Sequence, residues 1–186
     1  MRRLIEYLKR HDSGVAAIEF AVVMPLLLVL SFGALELTMK ILAAQKVEKL
    51  AATTADVVAQ AEVATVTGMD QLLSATTDIM EPFDFGADGV VIVSSVYRDA
   101  GSANAVNNWR HSGGGTLVET SQLGAVGGTA DLPDGFVLNE KENVIVAEVY
   151  YNYQPLWDGL FFDATTIYRQ AFFKPRLGAL TDAPTP

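Results

Sequence analysis

A glycine and a glutamate five residues apart, Gly14 and Glu19, are the residues of this sequence best placed to do chemistry. They stand between a short basic segment and a long apolar run, so Glu19 would lie close to or within a lipid bilayer. Placing a carboxylate at the bilayer centre costs about 2.5–3.5 kcal/mol in insertion free energy. A carboxylate in such a position therefore indicates a function, provided that a partner for it can be named. Cleavage after Gly14 would supply one, because the freed α-amine of Val15 could pair with Glu19 of a neighbouring copy or companion protein.

Spacing alone leaves two interpretations of this pair open. In the first, the chain is processed after Gly14 and the new amino terminus pairs with Glu19. In the second, Gly14 is a linker residue and Glu19 lies among the lipid headgroups of an uncleaved signal anchor. Glu36 follows Glu19 by 17 residues, about 25 Å along a helix. The two carboxylates would therefore lie near opposite faces of the membrane.

The other residues that could do chemistry form no recognisable catalytic or metal-binding motif. His11 and His111 offer no two-ligand spacing, and no serine lies in the G-x-S-x-G turn of a hydrolase. Residues 113–115 open no helix and lack a P-loop lysine, and cysteine is absent, which excludes disulfides and thiolate zinc sites. Five aspartates in turns lack the regular calcium-loop pattern: Asp84, Asp88, Asp99, Asp131 and Asp134. We therefore expect no enzyme activity, no cofactor and no metal site.

A long helix is needed to position Gly14 and Glu19. Residues 15–35 are apolar or small apart from Glu19, and such a stretch has the roughly 20 residues needed to cross a bilayer. Pro25 lies inside it and has no N–H to donate to the carbonyl of Ala21, which predicts a kink or a loosened turn. Apolar or small residues then recur at helical spacing and predict that the helix continues to about residue 63: Leu37, Ile41, Ala44, Val47, Ala51, Thr54, Val58 and Ala61.

The charge distribution predicts how this helix is oriented. Residues 1–14 hold four basic and two acidic side chains, whereas the rest of the chain holds nine basic and twenty acidic ones. Basic residues before a span favour an amino terminus in the cytoplasm. The body would then lie outside, and its acidic surface argues against binding nucleic acid.

The body is predicted to be a small antiparallel sheet with one short helix. Residues 70–80 have helical spacing and stop before Pro82, and residues 117–135 form a long glycine-rich loop. Four segments have the composition of strands: residues 90–98, 105–111, 144–153 and 165–173. Six aromatic residues near the third strand form the densest cluster, assigned to the core or sheet faces, with a partner-binding edge as the alternative: Tyr150, Tyr151, Tyr153, Trp157, Phe161 and Phe162.

The amino-terminal motif resembles a known family. The string GVAAIEF, residues 14–20, looks like the prepilin-peptidase motif of type IV pilin-like proteins, in which the leader is removed after the glycine. Residues 14–37 are similar to the TadE/TadG-like pseudopilins of the Tad (tight adherence) pilus system. They share the G-x-x-A-x-E-F-A start, a proline in the apolar run (Pro25) and a G-x-x-E exit from the membrane (Gly33 and Glu36). The strings VIVAEVYYNYQPL and YRQAFFKPR near the carboxyl terminus also resemble that family.

The resemblance implies a pilin-like α+β fold, in which a long amino-terminal helix packs on a small antiparallel sheet. Together with the patterns above, it divides the chain into a leader that is removed (1–14), a transmembrane helix (15–36), an amphipathic continuation (37–66), an extracytoplasmic head (67–178) and a loose tail (179–186). The cut would fall between Gly14 and Val15.

The resemblance also implies the partners and the location. It indicates a pseudopilin, or minor pilin, in the cytoplasmic membrane of a bacterium, processed by a prepilin peptidase and assembled with other pilin-like subunits and the pilus machinery. Such a protein would serve adhesion, surface attachment or biofilm formation. The alternative is an uncleaved single-pass membrane protein whose extracytoplasmic domain binds a ligand or surface by itself.

Overall fold

A computed structural model describes residues 13–186 of the chain. Its dominant element is helix α1 (Ser13–Ala59), 47 residues long, or about 70 Å at 1.5 Å per residue. Helix α2 (Val66–Thr76) and a 3₁₀ turn (Thr77–Met80) follow. The remaining elements are strands β1 (Gly89–Arg98), β2 (Val106–Gly113), β3 (Glu142–Tyr153) and β4 (Thr165–Phe173).

The four strands form one antiparallel sheet in the order β2-β1-β3-β4. The predicted α+β fold, with a long amino-terminal helix and a small antiparallel sheet, is therefore confirmed. Alternate residues of β3 face opposite sides, because successive side chains of a strand point to opposite faces. Val149 and Tyr151 lie on the helix side, and Val146 and Tyr150 lie on the other side.

The second half of α1 packs across one face of the sheet, mainly over β3 and β4. Most of the residues that it buries there are small, which lets the helix backbone lie close to the strands: Ala43, Val47, Leu50, Ala51, Thr54, Ala55, Val58 and Ala59. The buried stripe is thus close to the predicted one from Val47 onward. Leu37 and Ile41, which the predicted stripe included, remain exposed.

Helix α1 ends at Ala59, short of the expected residue 63, because the carboxyl-terminal chain holds its end. The Ala59 carbonyl accepts a hydrogen bond from the backbone of Arg176 at 2.9 Å, and the Arg176 guanidinium pairs with Asp56. Thr65 then forms a bridge with Thr185 and caps α2, its Oγ1 accepting from the Gly68 amide at 3.1 Å. Arg176 and Thr185 are more than a hundred residues away from these partners in sequence, so helical periodicity does not reveal them.

The carboxyl-terminal residues are tied into the head, whereas the sequence predicts a loose tail from residue 179. Leu180 is buried, and its carbonyl accepts hydrogen bonds from Ser95 Oγ at 2.6 Å and Trp109 Nε1 at 2.8 Å. Its amide donates to Asn143 Oδ1 at 2.9 Å. A proline-rich ending is therefore held by polar groups of three strands.

The glycine-rich loop covers the second face of the sheet, and the segment that leads into it from β2 approaches β1 so closely that Gly115 is required there. A Cβ built on Gly115 would lie 2.2 Å from the carbonyl oxygen of Gly89. No side chain fits at that distance, so the loop reaches the sheet here only with glycine.

Gly115→Ala should therefore destabilise the head, by about 1–3 kcal/mol or more in the free energy of unfolding. The matched control is Gly86→Ala in the neighbouring turn, where a Cβ would meet nothing closer than Asp84 Oδ1 at 3.5 Å. Urea unfolding followed by tryptophan emission measures both variants. Equal stability of the two would contradict this packing.

Candidate functional site

Gly14, Val15 and Glu19 lie in the first turns of α1, and all three are exposed. Within residues 13–186 Glu19 takes part in no ion pair. Helix α1 runs without interruption through Pro25. Residues 1–12 of the expected leader, with His11, lie outside the residues that the structure describes. The peptide bond after Gly14 and the Glu19 carboxylate are thus both on an open surface of the helix.

The first half of α1 exposes its apolar side chains all round. Large hydrophobic residues are 41–72 % exposed along the whole stretch: Val15, Ile18, Phe20, Val22, Val23, Met24, Leu26, Leu27, Leu28, Val29, Leu30, Phe32 and Leu35. Soluble proteins rarely expose an apolar surface of this extent to water. Among the residues described, α1 is the one helix long and apolar enough to cross a membrane. The apolar first half of α1 is the candidate span, because none of its most apolar window is buried inside the head.

Glu36, at the end of this apolar stretch, is fully buried, with 0 % of its surface exposed. The Tyr153 hydroxyl donates a hydrogen bond to its Oε1 at 2.9 Å, and the Leu156 amide lies 3.2 Å and 3.1 Å from its two oxygens. A buried carboxylate is tolerated only when such donors replace water. Glu36, which the sequence predicts as the exit from the membrane, joins the helix to the end of β3.

Tyr153 is well suited to be this donor. Burial raises its pKa from 10.0 to about 12, and the hydrogen bond to Glu36 and the negative charge of that carboxylate act in the same direction. The phenol therefore keeps its proton at neutral pH and donates a hydrogen bond to Glu36.

The turn between β3 and β4, residues 154–164, packs aromatic rings against the same part of α1. The Trp157 ring lies 5.0 Å from that of Phe32, and Lys40 Nζ lies 5.0 Å from the centroid of the Phe162 ring, within cation–π range. A Cβ at Gly33 would lie only 3.3 Å from the Phe161 ring. We name these three rings, Trp157, Phe161 and Phe162, the aromatic collar.

The amino-terminal helix matches a known family. The model of the TadE family, described as TadE-like protein, matches residues 14–56. Residues 14–56 are a TadE-like segment. The match begins at Gly14 and ends at Asp56, the residue that pairs with Arg176. It confirms for this part of the chain the resemblance seen in the sequence.

The TadE-like segment comprises the candidate span and most of the part of α1 that packs on the head. Glu19, Pro25, Gly33 and Glu36 all lie within it, whereas the sheet and the aromatic collar lie outside. No curated protein and no solved structure matches the chain.

A second buried carboxylate, Glu148, holds the glycine-rich loop on the outer face of the sheet. It accepts hydrogen bonds from the Ser121 hydroxyl, from the Gln122 amide at 2.8 Å and from the Tyr168 hydroxyl at 3.0 Å. Burial and the charge of Glu148 raise the pKa of Tyr168, and the same causes raise that of Tyr150 to about 12. Every hydrogen-bonding oxygen of Glu148 is thus occupied within the head, which gives it a structural role.

The residues set aside in the sequence lie in ordinary structural positions. Asp84 Oδ1 accepts a hydrogen bond from the Gly86 amide at 3.0 Å, as in an Asx turn. Asp99 Oδ1 accepts one from the adjacent Ala100 amide at 2.7 Å. His111 Nε2 lies 2.7 Å from Asp70 Oδ1. In residues 13–186 no three His, Asp or Glu side chains come together in a group that could hold a metal ion.

Proposed function

We propose that this chain is a pseudopilin, or minor pilin, of a Tad-type pilus. The observation that carries the proposal is the match of residues 14–56 to the TadE family, on a helix whose first half exposes large apolar side chains and a single charged one, Glu19. Residues 15–36 would anchor the chain in the cytoplasmic membrane of a bacterium, and the α+β head would lie outside. The protein would act by assembly rather than by catalysis and would support adhesion and biofilm formation.

The proposed assembly begins with removal of the leader. The basic leader holds the precursor in the bilayer, and a prepilin peptidase cuts the bond between Gly14 and Val15. The new amine of Val15 then pairs with Glu19 of a neighbouring pilin-like subunit. Opposite charges attract strongly where water is excluded, so this pair would fix the register of two helices in the membrane.

Glu19 and Glu36, the carboxylates near the two ends of the candidate span, differ in their surroundings. Glu36 is buried and already accepts hydrogen bonds from Tyr153 and Leu156. Glu19 is exposed and makes no ion pair within the described residues. Of these two, Glu19 is therefore the carboxylate that can accept an amine from another subunit.

Processing is tested by producing the full chain with and without a prepilin peptidase. The peptidase should reduce the mass by about 1.8 kDa, the mass of the fourteen-residue leader, and amino-terminal sequencing should begin at Val15. The matched control is Gly14→Leu, which should stay in the membrane at full length. If the wild-type chain also keeps its leader, the alternative gains support: an uncleaved membrane protein whose head binds a ligand or surface.

A further inference from the structure

The turn between β3 and β4 exposes apolar side chains on the surface of the head. Leu156 is 59 %, Trp157 36 % and Leu160 66 % exposed. The turn is nevertheless well defined, because the Leu160 amide donates to the Trp157 carbonyl at 3.1 Å and the Gly159 amide donates to the Phe162 carbonyl at 3.3 Å. These side chains are therefore presented outward by an ordered turn.

The contacts of the turn with α1 fix its level along the helix. Trp157 packs on Phe32, which lies three residues before Leu35 at the end of the apolar stretch, or about 4.5 Å along the axis. If residues 15–35 cross the bilayer, Trp157 lies at the boundary between acyl chains and headgroups. Tryptophan and tyrosine are enriched at that level of membrane proteins.

The polar groups around the turn lie further along α1 towards water than Trp157 does. Lys40, which lies over the Phe162 ring, is eight residues beyond Phe32 and so about 12 Å further towards water. Glu36 lies between these two levels, and Tyr153 and Leu156 supply its hydrogen bonds in place of water. A carboxylate screened in this way can lie at the edge of hydrocarbon.

We propose that the exposed side of this turn, formed by Leu156, Trp157 and Leu160, inserts into the outer headgroup layer of the membrane that α1 crosses. The occupant is a lipid surface, because the turn continues the lipid-facing surface of the span at the height of its outer end. The exposed Asp158 in the same turn favours zwitterionic over anionic headgroups. The head thus rests on the bilayer before any assembly. This inference requires only that α1 spans a membrane, and it does not depend on the pilus role.

The two tryptophans of the chain provide the test. Trp109 is 2 % exposed and donates to the Leu180 carbonyl inside the head, whereas Trp157 lies in the turn. The full chain is reconstituted into phosphatidylcholine vesicles with or without bromine on the acyl chains near the headgroup. In Trp109→Phe, which keeps Trp157, brominated lipid should lower the emission about twofold. In Trp157→Phe, which keeps Trp109, the emission should stay unchanged.

Two further variants identify the surface responsible. Leu160→Ser in the Trp109→Phe background should weaken the quenching, and the matched control Val118→Ser should not, because Val118 is 93 % exposed in the loop on the other face of the sheet. The proposal is overturned if Trp157 emission is the same in both lipids while the protein floats with the vesicles. It is equally overturned if that emission changes only with the ratio of protein to lipid, since the turn would then contact a second copy.

Discussion

Replacing Glu19 by Ala should leave the chain in the membrane but reduce the pili sheared from cells by about tenfold or more, since each 1.4 kcal/mol lost from a contact is a factor of ten. Loss of the carboxylate makes the span more apolar, so insertion should not suffer. It removes the partner that we propose for the Val15 amine of the next subunit. Immunoblots of the sheared and membrane fractions measure the two effects separately.

Two further variants show whether the effect of Glu19→Ala comes from the lost charge, from the smaller side chain or from general damage to the helix. Glu19→Gln keeps the shape of the side chain and should still lose most pili, because the amide carries no charge. Glu48→Ala removes an exposed carboxylate of α1 outside the span and should assemble normally. Normal pili in both Glu19 variants would rule out the proposed pairing, even if the leader is removed.

The elements of the fold follow from local patterns, which is why the sequence predicts them well. The first and third strands contain runs of Val and Ile whose alternation separates the two faces of the sheet, as at Val149 and Tyr150. The apolar half of α1 is recognisable from composition alone. The predicted and observed strand ends agree to within about two residues, because glycines, aspartates and prolines mark the turns between the strands.

Long-range polar contacts could not be predicted in this way. Glu36 meets Tyr153 and Leu156 across 117 and 120 positions of sequence, and nothing local marks those residues as its donors. The end of α1 and the burial of Leu180 depend on similarly distant partners. The aromatic cluster near β3 was visible in the sequence, but its position on Gly33 and Phe32 requires the folded chain.

Replacing Glu36 by Ala should loosen the head from the helix, with a loss of about 2–6 kcal/mol in the free energy of unfolding. The variant leaves the Tyr153 hydroxyl and the Leu156 amide without their acceptor, and each such group costs about 1–3 kcal/mol. Urea unfolding in detergent, followed by Trp109 emission, measures the loss. Proteolysis should also become faster within residues 154–164, because Glu36 anchors the start of that turn.

A double-mutant cycle between Glu36→Ala and Tyr153→Phe identifies the contact responsible. The losses in free energy of unfolding of the two single variants should sum to more than the loss of the double variant. The difference, the coupling energy, should be about 1 kcal/mol, because each single variant removes the same hydrogen bond. Glu48→Gln, on the exposed side of α1, should change nothing. A Glu36→Ala head as stable as the wild type would contradict this role. If Glu19→Ala then loses pili while its head stays folded, the two carboxylates have different roles. Glu19 joins subunits, and Glu36 fixes the head on its own helix.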